Sequence, residues 1–417
     1  MGKEREILRF STAGSVDDGK STLIGRILHD TKSLFKDQIK SIENISKKKG
    51  YDYIDLSLLT DGLKSEREQG ITIDVAYRYF STPNRKFIIA DTPGHIQYTR
   101  NMVTGASTSS LAVILIDARN GILEQTYRHT FISYLLGIKH LIVCINKMDL
   151  VEYEQNIYDT IVSDFKDFLS RINISDVKFI PISALEGDNV VNKSENMDWY
   201  KGSTLIYNLE NVHIASDYDR VNPRFPIQHV IRPKQKKFHD FRGYAGKVVG
   251  GIFKKGDIIK VLPQGYETKI KSIQNYKSEI NKVFPPYSAM MTLEDDYDID
   301  RGAIFVKPDN IPENSNNLNT LICWMSNSPL IAKKKYMLKH CNNIYNCILE
   351  KVIYKIDINT LHKVTADQIL SLNEIGRVSI KCSSNIFYDS YDKNRITGSF
   401  ILIDPNSNET VGAGILK

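Results

Sequence analysis

Eight residues near the start of the chain, Gly14-Ser15-Val16-Asp17-Asp18-Gly19-Lys20-Ser21, narrow the folds open to it. They stand between a short apolar run at 7–12 and a segment at 20–27 with helical spacing. Gly-x-x-x-x-Gly-Lys-Ser between a strand and a helix is a phosphate-binding loop. Its glycines let backbone N–H groups close on phosphate oxygens, and the helix N-terminus adds unpaired donors and a favourable dipole. Lys20 is placed to reach the β and γ phosphates, the Ser21 hydroxyl to ligate Mg2+, and Thr22 to face the α-phosphate end. A strand feeding such a loop and helix makes the first part of the chain an expected α/β domain.

Three further segments follow in order: Asp91-Thr92-Pro93-Gly94-His95, Asn146-Lys147-Met148-Asp149 and Ser183-Ala184-Leu185. A phosphate loop alone specifies only phosphate; this series specifies a guanine nucleotide and a switch. Asp91 ends an apolar run and is expected to hold Mg2+ through water. Gly94 can offer its N–H to a γ-phosphate and turn away when that phosphate leaves. Thr72, in Gln69-Gly70-Ile71-Thr72-Ile73-Asp74, is the candidate second hydroxyl on the metal; the alternative is a threonine at a strand edge. His95 stands where a group orienting the attacking water is expected, the alternative being a surface histidine after a turn. The candidate catalytic set is therefore His95, Lys20 and Thr72.

The Asp149 carboxylate can accept both N1–H and N2–H of guanine, a pair that adenine lacks. Desolvated groups left unpaired make the wrong base costly. Lys147 is expected over the base, Asn146 to tie this loop to the phosphate loop, and the 183–185 segment to donate a backbone N–H to the guanine carbonyl.

The 417 residues suffice for two or three domains, and 41% hydrophobic with 25% charged content fits a soluble globular protein. The net charge of +6 is spread along the chain. Without clustered arginines and aromatics it reads as a lysine-rich surface rather than a nucleic-acid face, although charge alone leaves an RNA partner open. Five cysteines (Cys144, Cys323, Cys341, Cys347 and Cys382) show no paired spacing and no histidine that completes a zinc set. They read as buried free thiols in a reducing compartment. The N-terminus has no apolar signal core, and the longest apolar runs, 111–116 and 141–145, are too short for a bilayer. The expected location is the cytoplasm, with no membrane association.

Strand-like runs at 7–12, 71–80, 86–90, 111–117, 141–146 and 178–183 alternate with helical segments at 96–110, 124–136 and 154–171, which predicts a mostly parallel sheet with helices on both faces. From about residue 222 short β-rich runs replace the helices, at 225–231, 244–250, 258–262, 269–274, 290–293 and 303–306. A polar stretch at 308–319, rich in Asn and Pro, reads as a linker to a second β-rich region. Such spacing suits small antiparallel barrels. The expected division is a nucleotide-binding domain at 1–220 and β-barrel domains at 221–312 and 313–417.

The phosphate loop, Thr72, Asp-Thr-Pro-Gly-His and Asn-Lys-Met-Asp resemble those of the translational GTPases such as elongation factor Tu, and so does the layout of one GTPase domain followed by two barrels. Finer text is similar to a narrower family, the large, GTP-hydrolysing subunit of bacterial sulfate adenylyltransferase. This text comprises Asp18 in the loop, the switch stretch 60–80, Gly94-His95-Ile96-Gln97-Tyr98-Thr99-Arg100-Asn101-Met102, Asp240-Phe241-Arg242-Gly243-Tyr244-Ala245-Gly246 and the run 394–404. The likeness spans nearly the whole chain. It implies GTP and Mg2+ as ligands and a separate small catalytic subunit of ATP-pyrophosphatase type, in a heterodimer or higher assembly. In that family the small subunit makes adenosine 5′-phosphosulfate and pyrophosphate from ATP and sulfate, and GTP hydrolysis by the large subunit drives the reaction. The basic loop 234–239 is longer than the family's, and no second glycine loop occurs, so the kinase fused in some relatives is not expected. Two alternatives stay open: an elongation-factor-like GTPase delivering aminoacyl-tRNA, and a GTP-binding regulator with no metabolic role.

Overall fold

The computed structural model describes residues 7–34, 36–48, 54–59, 74–95, 98–172, 174, 176–214, 217–233, 241–358, 360–365 and 369–417. They form two compact units, Met1–His213 with Ile358–Leu361, and Ile214–Asp357 with His362–Lys417.

The first unit is built on six strands: β1 Ile7–Ala13, β2 Ala76–Ser81, β3 Lys86–Asp91, β4 Leu111–Asp117, β5 His140–Asn146 and β6 Asp176–Pro181. They lie in the order β2-β3-β1-β4-β5-β6. Every neighbouring pair is parallel except the β2/β3 hairpin at the edge. The helices are α1 Lys20–Asp30, α2 Lys36–Lys48, α3 Thr99–Ser107, α4 Glu124–Leu135, α5 Gln155–Leu169 and α6 Leu205–Asn211. All seven residues of β4 are buried, as are all of β5 except His140. Successive side chains point to opposite faces, so these strands are covered on both sides, and their unbroken aliphatic run is the reason. Each fully buried Val, Leu or Ile contributes about 1.5–3 kcal/mol.

From β1 the chain crosses to β3 on one side and then back past β1 to β4 on the other. Carboxyl ends of parallel strands at such a reversal form the crevice where open α/β sheets bind ligands. Ala13, Asp91, Asp117, Asn146 and Pro181 therefore end their strands along one edge of the sheet.

Helix α6 is not visible in the sequence pattern. Carbonyls within it and just past its end accept from Arg85, a 3%-exposed residue in the β2–β3 turn, whose Nη1 donates to Leu209 O at 3.1 Å and Val212 O at 2.7 Å. The carbonyls at the helix end and the buried Nη1 satisfy one another.

In the second unit the strands β7 Phe225–Ile231, β8 Gly243–Lys247, β9 Ile258–Leu262, β10 Tyr266–Gln274, β11 Ser288–Leu293 and β12 Ile304–Val306 form a ring in the order β7-β8-β11-β10-β9-β12. β13 Glu313–Trp324, β14 Lys335–His340, β15 Asn343–Ile356, β16 Ile375–Tyr388, β17 Ser399–Ile403 and β18 Thr410–Leu416 form another, β13-β16-β15-β14-β17-β18. All these neighbours are antiparallel, and β12 on β7 and β18 on β13 close the two rings. Closure removes open edges. Phe225, Tyr244, Phe253 and Phe305 fill the first barrel; Trp324, Tyr336, Leu349, Val378 and Phe400 fill the second.

The stretch 308–319 is not a linker throughout. From Glu313 it belongs to β13, with Asn317 opposite Lys381 and Asn319 opposite Ser379. Leu318 and Thr320 point inward while Asn317 and Asn319 are exposed. The outward asparagines dominate the composition and mask a period of two.

One buried ion pair joins the two barrels. Arg224, 2% exposed, donates from Nε and Nη2 to the two oxygens of Asp389, each at 2.8 Å. Its Nη1 reaches Asn310 O at 2.8 Å and Pro223 O at 2.9 Å, and Thr397 Oγ1 donates to Asp389 Oδ2 at 2.7 Å.

Candidate functional site

The phosphate loop turns at the end of β1 and runs into α1, as its residue types require. Gly19 has φ 91°, in the left-handed region, and a Cβ there would collide with Asn146 Nδ2. Lys20 is buried, and its Nζ donates to Gly14 O at 2.9 Å and Ser15 O at 2.7 Å. The ammonium is thus held inside the loop. Burial lowers its pKa, opposed by the charges of Asp18, Asp91 and Asp17. Val16 and Asp17 are exposed at the tip, while Ser21 and Thr22 are half-buried in the first turn of α1.

Asp18 turns its side chain onto the loop itself, where Oδ2 accepts the Ser15 N–H. Burial pushes its carboxyl up to about 6, against the pull of Lys20 and the Ser15 N–H. The linkage follows from the direction. Between about pH 4 and 6 the folded state binds a proton more readily than the unfolded chain, so stability falls as pH rises through that window. Asp18→Asn keeps an oxygen for Ser15 N–H and removes the buried charge. It is expected to stabilise the ligand-free protein by roughly 2–3 kcal/mol at pH 7.5. The gain should shrink toward pH 4.5 in denaturant titrations; a gain independent of pH would refute the argument.

At the end of β5, Asn146 is 1% exposed and joins three segments. Its Nδ2 donates to Asp18 O at 2.8 Å, and its Oδ1 accepts the Ala184 N–H at 2.9 Å. Of the backbone N–H groups in the 183–185 segment, that of Ala184 is thus committed to Asn146. Lys147 has φ 63°, Met148 is fully buried with its N–H on Ile182 O at 3.2 Å, and Ser183 Oγ accepts the Glu186 N–H at 3.1 Å. Arg26 of α1 fastens the next loop, donating from Nε to Ala184 O at 3.1 Å and from Nη2 to Leu185 O. Asp149 Oδ1 is buried with no hydrogen-bond partner among the described residues. A buried carboxylate oxygen in that condition fits a ligand that brings N–H donors.

Asp91, 1% exposed, accepts Thr12 Oγ1 at 3.3 Å, and Thr92 Oγ1 donates to Thr12 O at 2.5 Å. Pro93 and Gly94 are buried, and a Cβ on Gly94 would lie 2.5 Å from Lys20 Nζ and 2.6 Å from Gly14 O. That space fits only glycine, and it brings the Asp91–Gly94 turn onto the phosphate loop. His95 is half-buried with its ring 6.0 Å from that of Tyr98. Thr72 and the 60–73 switch text lie outside the described residues.

Two contributors escaped the sequence reading. Arg26 lies 158 residues from Ala184, and Asp117 pairs with Lys147 Nζ at 3.0 Å across neighbouring strands. Neither belongs to a spaced motif; only the sheet order brings them to the site.

Residues 5–223 match the family described as Elongation factor Tu GTP binding domain, and residues 317–417 match GTP-eEF1A C-terminal domain-like. The chain is 50% identical to Sulfate adenylyltransferase subunit 1 of Bacteroides thetaiotaomicron, covering 99% of this chain and 87% of that one. It is 52% identical to the protein of the same name from Pseudoalteromonas atlantica, covering 99% and 88%. It is 50% identical to Bifunctional enzyme CysN/CysC of Mycobacterium tuberculosis, covering 98% and 67%. Among solved structures, the S. cerevisiae Ski7 GTPase-like domain, bound to GDP and inorganic phosphate, has a TM-score of 0.51 at 19% identity, covering 99% and 97%, a likeness of fold alone. With a GTP-binding domain at 5–223 and half its residues shared with these proteins over nearly its full length, the chain belongs to the sulfate adenylyltransferase subunit 1 family.

Proposed function

We propose that this chain is the GTP-hydrolysing subunit of a sulfate adenylyltransferase. A separate small subunit forms adenosine 5′-phosphosulfate and pyrophosphate from ATP and sulfate, and GTP hydrolysis here supplies the driving reaction. The observation that carries this reading is the 50% identity to subunit 1 proteins over 99% of the chain. Delivery of aminoacyl-tRNA draws on the elongation-factor descriptions of residues 5–223 and 317–417.

In this reading the phosphate loop holds the β and γ phosphates with its backbone and Lys20, and Asp149 reads guanine beneath Lys147. Ser21 and Asp91 are hard oxygen donors of the kind Mg2+ takes, and Thr72 is the further hydroxyl proposed for the triphosphate state. Bound there, the ion would neutralise phosphate charge. His95 orients the attacking water, and Gly94 follows the γ-phosphate, so that hydrolysis releases the turn and the switch. The anhydride formed by the partner is unstable enough to need such coupling. We place the protein in the cytoplasm, in a heterodimer or higher assembly with that subunit.

The test is reconstitution. The chain, mixed with the small subunit, ATP, sulfate and GTP, is expected to release pyrophosphate in a sulfate- and GTP-dependent manner, and GTP turnover should rise on adding the small subunit. No sulfate-dependent release would defeat the reading, and unstimulated turnover would favour a plain regulator. His95→Ala is expected to lower GTP turnover by about 10²–10⁴-fold while GTP binding persists. Equal turnover would remove His95 from water positioning.

A further inference from the structure

Asp117 closes β4 with its side chain only 1% exposed. A carboxylate this deep persists only with partners around it. Oδ2 meets Lys147 Nζ at 3.0 Å and Arg119 Nη2 at 2.7 Å. Oδ1 accepts the Arg119 backbone N–H and its Nε, each at 3.0 Å. Burial alone would raise its pKa, but hydrogen bonds from Arg119 and then Lys147 outweigh it and hold it at about 2. The group is charged at any working pH.

The sheet sets up this contact. β4 and β5 are parallel neighbours with Asp117 opposite Asn146, and the next N–H, Ala118, donates to Asn146 O at 2.9 Å. Asp117 is thus one residue across from the turn that presents Lys147. Lys147 sits in the left-handed region at φ 63°, a conformation that a non-glycine residue keeps only where its surroundings enforce it. Its long stem has many rotamers, and one fixed contact at the tip selects among them.

We propose that Asp117 is a positioning residue for nucleotide retention: by gripping the Lys147 ammonium it fixes the lysine stem over the base and sets how slowly guanine nucleotide leaves. The proposal rests on reading Asn146–Asp149 as the base site. Arg119, its side chain 46% exposed, bonds both oxygens of the carboxylate beside Lys147, and its removal leaves the Asp117–Lys147 pair in place. It therefore separates loss of the grip from mere loss of a partner to Asp117.

The test is the release rate of a fluorescent methylanthraniloyl-GDP from the full chain, chased with excess GDP. Asp117→Ala, Asp117→Asn and Lys147→Ala are each expected to speed release by at least about tenfold. The Asp117→Ala/Lys147→Ala double variant should be no faster than the faster single variant, because both changes break one contact. Arg119→Ala should stay within about threefold of the parent, since the Lys147 contact survives it. Multiplicative effects in the double variant, or an unchanged rate in both Asp117 variants, overturn the proposal while leaving the base site intact. If the parent chain binds no guanine nucleotide, the base-site reading falls and this proposal with it. Should both Asp117 variants fail to fold, Lys147→Arg decides the matter. Its guanidinium can still pair with Asp117, so release near the parent rate is expected, and release as fast as in Lys147→Ala refutes the grip.

Discussion

Asp149→Asn is expected to lower affinity for guanine nucleotides by about 10⁴-fold and to turn preference toward xanthine nucleotides. The argument starts from Asp149 Oδ1, buried and lacking a partner among the described residues. A carboxylate offers two acceptors to the two N–H groups on the guanine edge. An asparagine offers one acceptor and one donor, so its amide N–H would face the N2–H of guanine and leave two donors unpaired out of water. Xanthine carries a carbonyl at that ring position, which the amide can bind while its oxygen keeps N1–H. The penalty comes mainly from unmet donors, and for that reason it far exceeds the gain from one hydrogen bond. Equilibrium binding of GDP and XDP to both proteins measures it. An Asn variant that still prefers GDP would show that Asp149 does not read the base.

Asp389→Ala is expected to destabilise the barrel unit by about 3–5 kcal/mol. Arg224 is 2% exposed and gives two of its hydrogen bonds to Asp389, so the substitution leaves a buried guanidinium half-paired. For a unit of this size the melting temperature should drop by roughly 10 °C. Calorimetry can isolate the transition, because GDP raises only the midpoint of the unit that binds it. Replacing both partners with apolar residues, Arg224→Met with Asp389→Leu, is expected to recover most of the loss, since neither change then strands a charge. A cost below about 1 kcal/mol for Asp389→Ala would mean that water reaches Arg224.

The two predictions depend on different kinds of information. Asp149 stands in a short motif whose spacing carries its chemistry. Asp389 lies 165 residues from Arg224, and nothing in either local stretch announces the pair. The same division runs through the molecule. β4 and β5 were legible as continuous aliphatic runs, and the phosphate loop as glycines between a strand and a helix. Residues 313–319 were misread because outward asparagines hide the inward Leu318 until β16 lies beside them. α6 was missed because only seven residues form it.

Local chemistry was readable in the order of residues. Gly19 must be glycine for its turn, Lys20 must follow it to sit in the loop, and Asn146-Lys147-x-Asp149 must follow a buried strand. These requirements act over a few bonds and leave a mark in spacing. The tertiary structure alone decided which of these groups meet. Asn146 spans from Asp18 O to the Ala184 N–H, Arg26 fastens the Ala184–Leu185 loop, and Asp117 holds Lys147. Those contacts arise because the parallel order β3-β1-β4-β5-β6 lays strand ends from distant parts of the chain along one edge, and strand order is a property of packing that no single segment encodes.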